Sequence, residues 1–135
     1  MTAAPLLDTH AWIWWIDQDA RLGKRLIAAL DELPLEDRPC LCDISLWEAA
    51  MLLERGRIRF SVPFERWLEA AAHPRTVRIL PITPIIAAEV AALPEEFHRD
   101  PADRLIVATC RVMKLPLLTR DGLILRSRLV RKWLP

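Results

Sequence analysis

The sequence predicts an α/β layered fold with a mostly parallel sheet. Two observations carry this. Strand-like segments alternate with helix-like segments along the whole 135-residue chain. The strand-like segments, such as "CLC" and "LPLL", are apolar at successive positions rather than at every second one. That pattern suits strands buried on both faces, with helices above and below.

Each element has its own local reason. Leu6-Leu7 ends a first short strand, and a helix starts near Thr9. A second helix covers about Leu22–Leu33, after which Pro34 and Pro39 bracket a loop. "CLCDI" reads as strand two, followed by a helix from about Leu46 to Arg55 that stops at Gly56. Residues 63–72 read as helix and "TVRILPI" as strand three. Thr83 is placed to cap a helix with Pro84 in its first turn, ending by Pro94. "EEFHRD" is a loop, and Asp100-Pro101 opens a helix that runs to about Lys114. "LPLLT" is strand four, a short helix follows Asp121, and "LVRKWL" offers a fifth strand.

Composition limits the rest. The length fits one domain, and 53% hydrophobic residues exclude a disordered chain. No apolar run approaches the ~18 residues of a membrane span. The N-terminus lacks a basic n-region, and Asp8 interrupts its apolar stretch. A soluble, cytoplasmic protein is expected. Cys40 and Cys42 would share one face of a strand and read as small buried hydrophobes. No further Cys/His pair is spaced to complete a zinc site. The net charge of +1 hides an uneven distribution: residues 111–135 carry +6 and residues 1–110 carry −5. The basic end suits either phosphate binding or a solvated helix face.

Four acids stand out on this map. Asp8 follows strand one, and Asp121 follows strand four. Glu48 lies in the first turn of the helix after strand two. Asp103 lies in the first turn of a helix that feeds strand four through a tight turn at Leu115-Pro116. That helix runs back antiparallel for about 20 Å, which carries Asp103 to the carboxyl edge of the sheet. Right-handed crossovers place all these strand ends on one side, where such sheets bind ligands. Clustered carboxylates raise one another's pKa, and divalent cations relieve the cost. Oxygen donors suit Mg²⁺ or Mn²⁺. A pair of such ions about 3.5–4 Å apart is a clamp for in-line displacement at phosphorus.

Each acid also has a structural explanation. Asp8 is placed to cap the first helix, and Ser45-x-x-Glu48 matches a capping box. Asp100 is a good N-cap for a helix in which Asp103 complements the dipole. Asp121-Gly122 is a turn dipeptide. None of these explains why all the acids fall on the same edge.

The segments "LLDTHAWIWW", "ISLWEAAML", "HRDPADRLIVATC" and "LPLLTRDGLIL", in this order, resemble the PIN-domain ribonucleases. The likeness is specifically to the VapC-like toxin half of toxin–antitoxin pairs, and it spans nearly the whole chain. The resemblance implies a three-layer α/β/α sandwich around a four- or five-stranded parallel sheet. It also implies Mg²⁺- or Mn²⁺-dependent RNA cleavage. Asp8 and Asp103 would be the principal ligands, Glu48 and Asp121 would complete the pocket, and Asp100 would be accessory. Thr9 and Thr119 are candidates to hydrogen-bond a carboxylate or a metal-bound water. Arg120, at the mouth, is a candidate for bidentate phosphate contact. His10 reads as a surface residue at a helix start, and His98, next to Arg99, as a possible phosphate contact.

Such toxins usually form homodimers and are inhibited by a small antitoxin that reaches promoter DNA through its other end. Trp12, Ile13, Trp14, Trp15 and Ile16 make the first helix apolar all round, more than one buried face needs. Part of that helix is therefore expected either to meet an antitoxin or a second protomer, or to serve core packing alone. The rival readings are a non-catalytic PIN-like module that only joins a repressor complex, and a phospho-receiver domain. The receiver wants paired acids after strand one, where this chain has only Asp8.

Overall fold

Four short strands lie side by side in a computed structural model that describes residues 4–135. They are β1 (Leu6–Leu7), β2 (Cys40–Cys42), β3 (Arg78–Leu80) and β4 (Leu117–Leu118). Their order is β3-β2-β1-β4, and every neighbouring pair is parallel. The chain winds one way from β1 to β3 and then returns to the other side of β1. The topological switch point therefore falls between β1 and β4, where an open α/β sheet leaves a crevice at its carboxyl edge.

Among the described residues seven α-helices surround the sheet: α1 (Thr9–Ile16), α2 (Lys24–Asp31), α3 (Ile44–Glu54), α4 (Phe64–Ala71), α5 (Pro84–Ala92), α6 (Pro101–Met113) and α7 (Gly122–Leu125). Strand alternation explains the layers. Successive residues point to opposite faces, so Leu6 and Leu7 feed different cores. Leu7, Leu41 and Leu118 pack with Trp12, Ile13, Leu30 and Trp67 on one side. Leu6, Cys40, Cys42 and Leu117 pack with Ile86, Ile106, Val107 and Cys110 on the other. All three cysteines are buried free thiols, and Cys40 and Cys42 do share a face. Among the described residues, no helix is long and apolar enough to cross a membrane.

Three expectations are corrected. Helix α3 starts at Ile44 rather than Leu46, with Asp43 at the N-cap. Ser45 is thus already inside the helix, and the Ser45–Glu48 capping box does not form; both side chains turn toward Thr9 instead. Helix α2 starts only at Lys24, because Gly23 takes φ +104° just before it. Leu22 is fully buried outside the helix. The fifth strand reduces to one parallel bridge between Leu117 and Lys132. Its two hydrogen bonds, Leu117 N to Arg131 O and Trp133 N to Leu117 O, are both 2.8 Å. With β4 only two residues long, the neighbouring Val130 and Trp133 contribute side chains to the cores instead of extending the ladder.

Candidate active site

Asp8 leaves β1 with extended backbone and caps α1: its Oδ1 accepts from the Ala11 amide at 2.8 Å. Its Oδ2 accepts from the Thr119 hydroxyl. Asp8 is therefore both a cap and a member of the cluster, and the two readings of this residue are compatible. It is almost fully buried, and that burial pushes its pKa up to about 6 against the lowering effect of Thr119.

The two threonines are placed by the same strand ends. Thr119 follows β4; its hydroxyl donates to Asp8 and accepts from the Asp121 amide at 3.0 Å. One hydroxyl thus ties the acid of β1 to the acid after β4. Thr9, the first residue of α1, donates to Glu48 Oε1. Its proton is then used, so the 2.9 Å contact with Ser45 Oγ has Ser45 as donor. Both threonines donate to carboxylates, and burial raises the pKa of Glu48.

Asp100 caps α6 by accepting from the Asp103 amide at 3.0 Å, which holds Asp103 in the first helical turn. The thirteen residues of α6 carry that turn back to the edge where Asp8 lies. Burial, followed by the charge of Asp100, pushes Asp103 up to about 7, while His98 works against the shift. Asp121 behaves differently. Burial opposes its ionisation, but the Ile124 amide, His98 and the Leu123 amide outweigh it and hold the carboxyl below its usual value. Its Oδ1 caps α7 through both amides, at 2.9 Å and 3.1 Å.

Asp8, Thr9, Glu48, Asp100, Asp103, Arg120 and Asp121 all border one cavity of about 420 Å³, together with His10, Trp14 and His98. Of the sequence-derived candidates only Thr119, buried and bonded to Asp8, does not line this space. Arg120 is exposed at its edge.

The partners of His98 were not legible in the sequence: its Nε2 lies 3.0 Å from Asp103 Oδ2 and 3.2 Å from Asp121 Oδ2. The ligand atoms of His98, Asp103 and Asp121 lie within 4.8 Å of one another, a spacing that a single metal ion can bridge. Arg104 was missed altogether. Its guanidinium donates to the carbonyls of Val90, Leu93, Pro94, Phe97 and His98, at 3.0 to 3.4 Å. This clamp fixes the loop that carries His98. The signal available was the Asp103-Arg104 pair: an arginine beside a site acid, at the start of a helix whose other face is apolar.

The tryptophans divide their work. Trp12 is fully buried and donates to Ala71 O at 2.9 Å, and Trp15 donates to Asp31 Oδ1 at 2.9 Å. Trp14 instead faces the acid cavity, 5.5 Å from the His10 ring and 5.1 Å below the Arg21 guanidinium.

A parallel sheet with an acid-lined crevice at its switch point defines a class, and the chain belongs to it: it is a member of the PIN domain family, whose model matches residues 6–126. Ribonuclease VapC22 of Mycobacterium tuberculosis (strain ATCC 25618 / H37Rv) is 41% identical over 117 residues, covering 86% of this chain and 85% of that one. A chain of a toxin-antitoxin complex from Klebsiella pneumoniae shares the fold, with a TM-score of 0.65 at 22% identity, over 93% of this chain and 94% of that chain.

Proposed function

We propose that this protein is a divalent-metal-dependent endoribonuclease, the toxin of a toxin–antitoxin pair. The observation that carries the reading is the convergence of Asp8, Glu48, Asp103 and Asp121 on one cavity, with three of the four carboxyls raised by burial. A cluster that resists ionisation when bare is one that a cation stabilises. The likeness to a ribonuclease over most of both chains supports RNA as the substrate class.

The donor set fits Mg²⁺ or Mn²⁺: mostly carboxylate oxygens, with the His98 Nε2 beside Asp103 and Asp121 and no thiolate facing the cavity. Asp8 and Asp103 would be the principal ligands, Glu48 and Asp121 would complete the set, and Asp100 would be accessory. When bound, such an ion neutralises the clustered charge and lowers the pKa of a water that attacks the phosphodiester. The chain's own residues do the positioning. Thr119 aims Asp8, Thr9 aims Glu48, and Asp100 sets the first turn that carries Asp103. Arg120, at the rim, is suited to a bidentate hold on a substrate phosphate.

In the cell we place the protein in the cytoplasm as a homodimer, inhibited by an antitoxin that connects it to DNA. Trp14, at the cavity mouth, is the part of α1 that a bound partner would touch. The rival reading, a non-catalytic module of a repressor complex, makes an opposite prediction. Purified protein incubated with total RNA is expected to cut with Mn²⁺, to stop with EDTA, and to lose cleavage in Asp8→Asn while keeping its circular dichroism. Full metal-dependent activity in Asp8→Asn would remove Asp8 from the site, and no cleavage by the wild type would favour the rival.

A further inference from the structure

Beside the acid cavity lies a second groove of about 410 Å³. It shares His10, Glu48 and Asp100 with the first and continues along α3 past Trp47 and Met51 to Arg55 and Arg57. Three features distinguish it from an ordinary surface hollow. Trp47 is 56% exposed, although it directly precedes a site acid and belongs to a residue type that usually buries its ring. Arg55 and Arg57 are exposed, and neither forms an ion pair among the described residues.

The third feature is the turn that presents the arginines. Gly56 takes φ +67°, its amide bonds to Leu53 O at 3.0 Å, and the Arg57 amide bonds to Leu52 O at 2.9 Å. This is a Schellman closure of α3, and it fixes the backbone on which Arg55 and Arg57 stand, either side of the glycine. From Glu48 to Arg55 the helix advances roughly 10 Å, more than one nucleotide's length of backbone.

We infer that this groove is a subsite for an unpaired stretch of the RNA substrate, with one base stacked on Trp47 and flanking phosphates held by Arg55 and Arg57. The inference rests on the ribonuclease reading and deepens it. The groove's composition matches single-stranded nucleic acid: a π-face for a base, and cations for the backbone on either side. Its charge changes sign along its length, from Glu48 and Asp100 at the acid cavity to the two arginines at the far end. A strand lying in it would meet the carboxylate cluster at one phosphate and the arginines at others. A protein segment would also use an indole and arginines; the groove's continuity with the acid cavity, through His10, Glu48 and Asp100, is what favours a strand.

The test is an anisotropy titration of a labelled, unstructured oligoribonucleotide of about ten nucleotides in EDTA, where no cleavage occurs. Wild type, Trp47→Ala, Trp47→Phe and the Arg55→Ala/Arg57→Ala double variant are compared. Trp47→Ala is expected to weaken binding roughly ten- to hundred-fold, and Trp47→Phe to retain most of it. The double variant should flatten the slope of log affinity against log salt by about 1.4. With Mn²⁺ and the same oligonucleotide, Trp47→Ala should raise KM more than it lowers kcat. Equal affinity across the variants, or no binding by the wild type, overturns the subsite. Variants that keep RNA affinity but lose a protein partner overturn it too, in favour of a protein interface. Cleavage by the wild type in the same series shows whether the nuclease reading survives such a result.

Discussion

The imidazole Nε2 of His98 lies 3.0 Å from Asp103 Oδ2, close to where a cation would satisfy that carboxylate. The contact lowers the proton affinity of Asp103, which burial otherwise raises to about 7. His98→Ala removes that help. The Asp103 carboxyl should then titrate at higher pH than in the wild type, as followed by carbon-detected NMR of the metal-free protein. An unchanged titration would mean that the imidazole contributes nothing to the cluster.

The buried acids set a stability profile with a definite sign. Asp8 titrates near 3.8 when unfolded and at about 6 when folded, and Asp103 at about 7. Raised carboxyls favour the fold while they are protonated, so this contribution is fully present below about pH 4 and is lost as pH rises through 6 to 7. For Asp8 alone the loss is on the order of 3 kcal/mol. Asp121, whose carboxyl is held down, acts in the opposite sense and only at acid pH. Urea unfolding in EDTA should therefore show lower stability at pH 8 than at pH 5. Mn²⁺ should restore it at pH 8, because a ligand that binds only the folded state stabilises that state.

Thr119→Val keeps the shape and removes the hydroxyl. Asp8 Oδ2 loses a donor, and the Asp121 amide loses its acceptor. The cost should be about 1–3 kcal/mol, with Asp8 titrating above its wild-type value because the Thr119 bond lowers it. Thermal melts together with an NMR titration check both effects.

Arg104→Ala leaves five carbonyls without their guanidinium donor and frees the loop that carries His98. About 2 kcal/mol of stability should be lost. Arg104→Lys should recover only part of it, since one ammonium cannot span the carbonyls that a planar fork reaches. The His98 ring resonances should shift in both variants. If they stay in place, the clamp does not position the histidine.

Gly56→Ala places a side chain at φ +67° with open space around it, so the cost is conformational alone. About 1 kcal/mol is expected, read from chemical denaturation.

The sheet was legible because "LL", "CLC" and "LPLL" are apolar at successive positions, and parallel strands buried on both faces need that. Asp8 and Asp121 were legible because they directly follow strands, and Asp103 because Asp100-Pro101 marks a helix start. Glu48 was legible because it closely follows strand two, and the capping box that offered a structural explanation for it does not form: Asp43 occupies the cap, so Glu48 turns toward Thr9 instead of the Ser45 amide. His98 was not legible, since its position depends on a loop held by Arg104 through backbone carbonyls, which carry no sequence signature. "LVRKWL" has the apolar content of a strand, but Val130 and Trp133 spend it on the two cores.

The Thr119–Asp8 bond closes a separation of 111 residues between the first strand and the last. Contacts of that range carry a larger loop-closure entropy than local ones. The acid pocket is complete only once β4 is in place. A chain interrupted before β4 holds Asp8, Glu48 and Asp103 but lacks Thr119 and Asp121. For a protein whose proposed activity is harmful to its own cell, this wiring makes the potency of a newly made molecule depend on its final strand.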